Sequence, residues 1–152
     1  MEPYTVCLFG HRTLHDLRRV DETLPPILEE LILTKTYVEF LIGRNGEFDE
    51  YAASLIKMTQ RKTDRQNSSL TLVLPYPTAK LAYYEAYYDD IVIPESLSSA
   101  HPKQAITLRN RRMVEQSKLV IVNVEHAKGG AYEAMKYAEK LNKRVVNLAS
   151  PV

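Results

Sequence analysis

With 152 residues, the chain is long enough for one domain with a hydrophobic core of its own. Apolar residues make up 45% and charged residues 26%, which excludes a disordered, low-complexity chain. The 20 Lys and Arg against 19 Asp and Glu leave a formal charge of +1, excluding a strong overall pull toward nucleic acid or an anionic membrane while leaving local basic clusters open.

The first element is the apolar run YTVCLF (residues 4–9), a buried strand ending at Gly10. Residues 20–35, VDETLPPILEELILTK, set Leu24, Ile27, Leu28, Leu31 and Ile32 at helical spacing. Pro25 and Pro26 belong in a first turn, where a missing N–H has no intrahelical partner, so this helix is expected to start at 21–23. YVEFLIG (37–43) reads as the second strand. EFDEYAASLIKMTQRKT (47–63) is a helix packing through Phe48, Ala52, Leu55 and Ile56. SLTLVLPYP (69–77) is a third strand ended by two prolines. Over 78–105 the pattern predicts a short helix at 79–88, a brief strand at 90–93 and an irregular loop through Pro102. ITLRNRRMVEQS (106–117) is helical, KLVIVNV (118–124) a strand, GAYEAMKYAEKLNK (130–143) a helix and RVVNLA (144–149) a last strand.

Strands alternate with helices, and the strands are apolar throughout rather than at every second position. Burial on both faces follows, hence a mostly parallel sheet between helices. The expected fold is α/β: one Rossmann-like three-layer sandwich over 1–152, with about five strands and no internal repeat or linker. In such sheets ligands bind beyond the carboxyl ends of the strands, where strand order reverses.

Four loops fall on that edge. Gly10-His11-Arg12 offers a guanidinium for a phosphate or carboxylate and an imidazole that titrates near neutrality; it also reads as an ordinary polar loop. Gly43-Arg44-Asn45-Gly46 leads into a helix whose first backbone N–H groups could hold an anion. Glu47 and Asp49 in its first turn are also ordinary helix-capping acids. Arg109, Asn110, Arg111 and Arg112 form a basic cluster; Arg111 and Arg112 suit a solvated helix face, whereas Arg109 and Asn110 lie nearer the ligand edge. HAKGGAYEA puts Gly129 and Gly130 at a strand-to-helix turn, with Ala131, Tyr132 and the acid Glu133 just beyond. Tyr132 suits either base stacking or core packing, as does the tyrosine-rich run at 83–90, which would also suit a dimer interface.

Neither a dinucleotide fingerprint nor a P-loop is present, so no cofactor is assigned. The four histidines have no ligand-like spacing and Cys7 is the single cysteine, in an apolar run, so no metal site or disulfide is expected. No apolar stretch approaches the roughly 20 residues of a membrane span, and the first residues lack a secretion-signal pattern; a cytoplasmic protein is the expectation.

Taken in order, CLFGHR, FLIGRNGEFDEYAA, RNRRMVEQSKLVIVNV and KGGAYEAMKYAEKLNKRVVNL resemble the SLOG superfamily of Rossmann-like proteins, in particular its small YpsA-like members. The stretches make up 57 of the 152 residues and run in order from residue 7 to residue 148. The resemblance implies a pocket for a nucleotide or nucleotide-derived ligand, lined by Gly10, His11, Arg12, Gly43, Arg44, Gly46, Asp49, Arg109, Asn110, Gly129, Gly130, Ala131 and Tyr132. Such a domain would serve as a sensor or regulator, and a homodimer would accord with the superfamily. More distantly, the superfamily holds the LOG phosphoribohydrolases and DNA-processing protein A. The first relation implies N-glycosidic hydrolysis or transfer with Glu133 as catalytic acid, although Ala131 stands where LOG enzymes carry Thr and Glu133 is the one nearby acid. The second relation implies a single-stranded nucleic-acid partner held by Arg109, Arg111 and Arg112.

Overall fold

A computed structural model describes residues 2–94 and 101–149. Among the described residues six strands form one sheet in the order β4-β3-β2-β1-β5-β6, with every pairing parallel. They are β1 (Tyr4–Gly10), β2 (Val38–Ile42), β3 (Ser68–Val73), β4 (Asp90–Val92), β5 (Leu119–Asn123) and β6 (Arg144–Asn147). The helices are α1 (Leu17–Thr34), α2 (Glu47–Thr63), α3 (Leu81–Tyr87), α4 (Pro102–Gln116) and α5 (Gly130–Lys140).

The strands carry no polar–apolar alternation because the pleat sends successive side chains into two different cores. Val6, Leu8, Phe40, Ile42, Leu70, Leu72 and Ile121 face the α1–α2 side, against Leu24, Leu28 and Ile32 of α1 and Phe48 and Ile56 of α2. Cys7, Phe9, Leu41, Val73, Val120 and Val122 face the α4–α5 side, against Met113, Val114, Ala131, Ala134 and Ala138. The small alanines of α5 bring that helix close to the sheet. The three-layer, Rossmann-like sandwich expected from the sequence is present, with six strands rather than about five.

Two helix starts differ from the sequence pattern. Helix α1 begins at Leu17, where the Asp16 side chain accepts the Arg19 N–H at 3.1 Å, so Pro25 and Pro26 lie inside the helix. The carbonyls left without N–H donors belong to Asp21 and Glu22, both exposed and so open to solvent rather than buried without a donor. Helix α4 begins at Pro102 rather than near 106, with His101 Nδ1 accepting the Lys103 N–H at 3.3 Å. Proline at the first helical position has no intrahelical bond to forgo. Part of the irregular loop expected before it, residues 95–100, lies outside the described residues. Among the described residues no helix is long and apolar enough to cross a membrane.

The chain runs outward from β1 through β2 and β3 to β4, then returns to β5 on the other side of β1. Strand order reverses there, with Gly10 paired to Asn123 at the carboxyl ends. The loops leaving β1 and β5 diverge to opposite faces and leave a crevice between them.

Candidate functional site

That crevice is a cleft of about 490 Å³, bounded by Gly10, His11, Arg12, Asn45, Asp49, Arg109, Asn110, His126 and Gly129–Ala131, among others. Its volume lies within the usual range of small-ligand sites. All four stretches singled out in the sequence reach it: the loops after β1 and β5, Asn45 and Asp49 from the β2–α2 turn and the first turn of α2, and Arg109 and Asn110 from the middle of α4 rather than near its start.

The two glycine turns differ in what meets them. At the start of α2 the protein closes on itself. The Glu47 N–H donates to the Arg12 carbonyl at 2.8 Å, and Glu47 Oε1 accepts the Leu14 N–H at 2.8 Å. A Cβ at Gly46 would stand 2.4 Å from the Arg12 Cα, so this corner requires glycine for space. Gly43 likewise makes room for a buried guanidinium: a Cβ there would lie 2.9 Å from Arg109 Nη1. Neither glycine lines the cleft.

The start of α5 is uncapped. Gly129 takes φ +92°, a conformation that side chains with a Cβ rarely adopt, and among the described residues no side chain caps the helix. The first intrahelical bond runs from the Glu133 N–H to the Gly129 carbonyl at 3.1 Å. The N–H groups of Gly130, Ala131 and Tyr132 have no acceptor inside the helix and sit at its positive end. Gly129, Gly130 and Ala131 all line the cleft.

Arg109 is only 3% exposed. Its Nε donates to Asn110 Oδ1 at 2.9 Å and its Nη1 to the Val73 carbonyl at 3.0 Å, fixing the guanidinium under the cleft floor. Burial pulls its pKa down, and the charge of Asp49 opposes that fall. Asp49, 8% exposed, accepts the Asn45 N–H at 3.0 Å through Oδ2. Burial raises its pKa from 3.8 to about 6, against the pull of the Asn45 N–H and of Arg109.

On the β1 side, His11 stacks on His126 with ring centroids 3.8 Å apart and planes 10° from parallel. Its Nε2 accepts the Glu125 N–H at 3.0 Å, so the neutral ring carries its proton on Nδ1. Burial, and next the neighbouring His126, lower its pKa, which favours that neutral form.

The remaining predicted residues lie elsewhere. Arg44 donates to Tyr88 Oη at 3.1 Å, pairs with Glu50 and stands over the Tyr84 ring, tying the β2–α2 loop to the tyrosine-rich segment. Tyr84, Tyr87 and Tyr88 belong to the core on the α1–α2 side, while Tyr83 is exposed. Tyr132 packs against the α4–α5 core. Glu133 lies in an adjoining groove of about 440 Å³ between α4 and α5, with Arg111, Lys136, Tyr137 and Lys140; this groove meets the cleft at Asn110 and Gly130. His126 and Asn45 lie in stretches read from the sequence but are not among the ligand-binding residues expected there: His126 stacks on His11, and Asn45 donates its N–H to Asp49. A larger depression of about 730 Å³ at the opposite end of the strands gathers Glu39, Asp89 and Asp90, with no cationic side chain among the described residues that line it. Among the described residues no group of three or more His, Cys, Asp or Glu is placed to hold a metal ion.

Fold and cleft together define a doubly wound α/β domain with an anion-compatible crevice at its switch point. Two solved structures share this fold. One is DNA processing protein A (DprA) from Streptococcus pneumoniae, with a TM-score of 0.66, 16% identity, and 94% of this chain matched to 49% of that one. The other is DNA processing protein A from Helicobacter pylori, a protein with a single-stranded DNA binding mode, with a TM-score of 0.65, 19% identity, and 94% of this chain matched to 64% of that one. The chain thus spans about half to two-thirds of these proteins' length. No protein-family model and no curated protein matches the sequence.

Proposed function

We propose that the cleft binds a nucleotide or nucleotide-derived ligand, with its phosphate on the uncapped start of α5 and Arg109 and Arg12 as counter-charges. The observation that carries this reading is the contrast between the two glycine turns. The start of α2 is filled by Arg12, whereas the start of α5 bounds a cleft with a buried cation beside it. The motif resemblance to YpsA-like SLOG proteins points the same way, toward a sensor or regulator.

A second reading, single-stranded nucleic acid, is favoured by the continuity of the cleft with the groove bearing Arg111, Lys136 and Lys140. The Helicobacter pylori protein of the same fold binds single-stranded DNA. Catalysis by Glu133 would need a substrate reaching from the cleft into this groove.

Thermal shift and base release with AMP, ADP-ribose and NAD separate these readings. Stabilisation without turnover, lost in Gly130→Val and Arg109→Ala, is the expected result. Base release abolished by Glu133→Gln would establish an N-glycosidic hydrolase instead. Affinity confined to oligonucleotides and falling steeply with salt would establish the strand reading.

A further inference from the structure

We propose that Asp49 and Arg109 together read a hydroxyl of the ligand, so that the cleft selects a phosphorylated ribosyl compound over its deoxy counterpart. The inference rests on the cleft being a nucleotide site.

Both side chains line the cleft and both are more than nine-tenths buried. Asp49 Oδ2 is committed to the Asn45 N–H, and among the described residues Oδ1 has no hydrogen-bond donor. Arg109 commits Nε to Asn110 and Nη1 to Val73, and among the described residues Nη2 has no acceptor. The two charges influence each other, yet among the described residues they make no direct ion pair. One acceptor and one donor therefore border the same cleft. Both atoms meet solvent through the cleft, so a ligand that displaces water there must give each of them a partner.

A hydroxyl answers both at a single atom, donating to Asp49 and accepting from Arg109. An ammonium offers donors alone and would meet the guanidinium charge. A phosphate or carbonyl oxygen offers acceptors alone and would meet the carboxylate. A guanine edge presents paired N–H donors that suit both oxygens of a carboxylate, and one of these is already taken. The anion-compatible start of α5 bounds the same cleft, so the complementary ligand carries a phosphate and a hydroxyl within one small molecule. A ribose phosphate has that arrangement.

The test is calorimetric titration of the full chain with AMP, GMP, CMP and UMP and with the 2′-deoxy and 3′-deoxy form of each. At least one ribonucleotide is expected to bind roughly ten- to a hundredfold more tightly than one of its deoxy forms, the cost of leaving a charged partner unsatisfied. Asp49→Asn keeps an acceptor for Asn45, removes the charge and brings that ratio toward unity. Equal affinity for ribose and both deoxy forms, or an unchanged ratio in Asp49→Asn, overturns the hydroxyl pair and leaves the nucleotide cleft standing. Tight binding of a deoxyoligonucleotide, with ribo- and deoxymononucleotides indistinguishable, also overturns the pair. No binding of any nucleotide to the folded wild-type chain overturns both the pair and the cleft reading.

Discussion

Burial of Asp49 imposes a pH dependence on stability that Asp49→Asn should remove. In an unfolded chain this carboxyl titrates at 3.8; in the folded protein burial moves it to about 6. Between those values the folded state holds the proton more tightly than the unfolded state, so stability falls as pH rises through this window. At 1.36 kcal/mol per pH unit the full cost is about 3 kcal/mol, complete above the folded value. Asparagine resembles the protonated carboxyl in shape, keeps an acceptor for the Asn45 N–H and never ionises. The stability of Asp49→Asn relative to wild type should therefore climb by about 2.4 kcal/mol between pH 4 and pH 7.5, the rest of the change falling below pH 4. Urea denaturation of both proteins across that range measures the difference directly, and other titrating groups cancel between them. A chain of this size would show the same effect as a Tm gap widening by roughly 5–10 °C. A difference that stays flat with pH would refute the account, because it would mean that Asp49 is as well solvated folded as unfolded.

His11 should act in the opposite sense: burial and His126 lower its pKa, so stability contributed by the neutral ring is lost as pH falls below the ordinary 6.5. An imidazole titration by NMR with a midpoint at or above 6.5 would contradict the stacked, Glu125-bonded geometry. Gly46→Ala forces a methyl against the Arg12 backbone and should cost about 1–3 kcal/mol, read as a lowered Tm; an unchanged Tm would mean that the α2 corner does not rest on the β1–α1 loop. Cys7, fully buried with its pKa pushed up to about 12, should resist iodoacetamide at pH 8 in the folded protein and react once denatured. Rapid labelling of the native protein would place Cys7 outside the core.

Features written in local pattern were legible from the residues alone. Continuous apolar runs such as LVIVN mark strands buried on both faces, and the 3.6-residue stripe of α2 marks a helix packed on one side. From these, the parallel sheet and the α/β class follow, and with them the edge of the sheet at which the cleft opens. Helix starts were less legible. The α1 start rests on one Asp16 hydrogen bond, and its proline pair is tolerated because the released carbonyls fall on an exposed side, which only the tertiary arrangement reveals. The site divides in the same way. Gly129 and Gly130 are legible because a strand-to-helix turn is a local event. Whether such a turn stays open depends on what else arrives there: Arg12 reaches α2, while no described side chain caps α5. Arg111 and Arg112 resemble Arg109 in the sequence, yet only Arg109 is buried. The stacking of His11 on His126, the passage of the Arg109 guanidinium beneath Gly43 and the half-committed carboxylate of Asp49 all join residues far apart in the chain. Their chemistry comes from burial and from neighbours that the fold supplies, and no local pattern carries either.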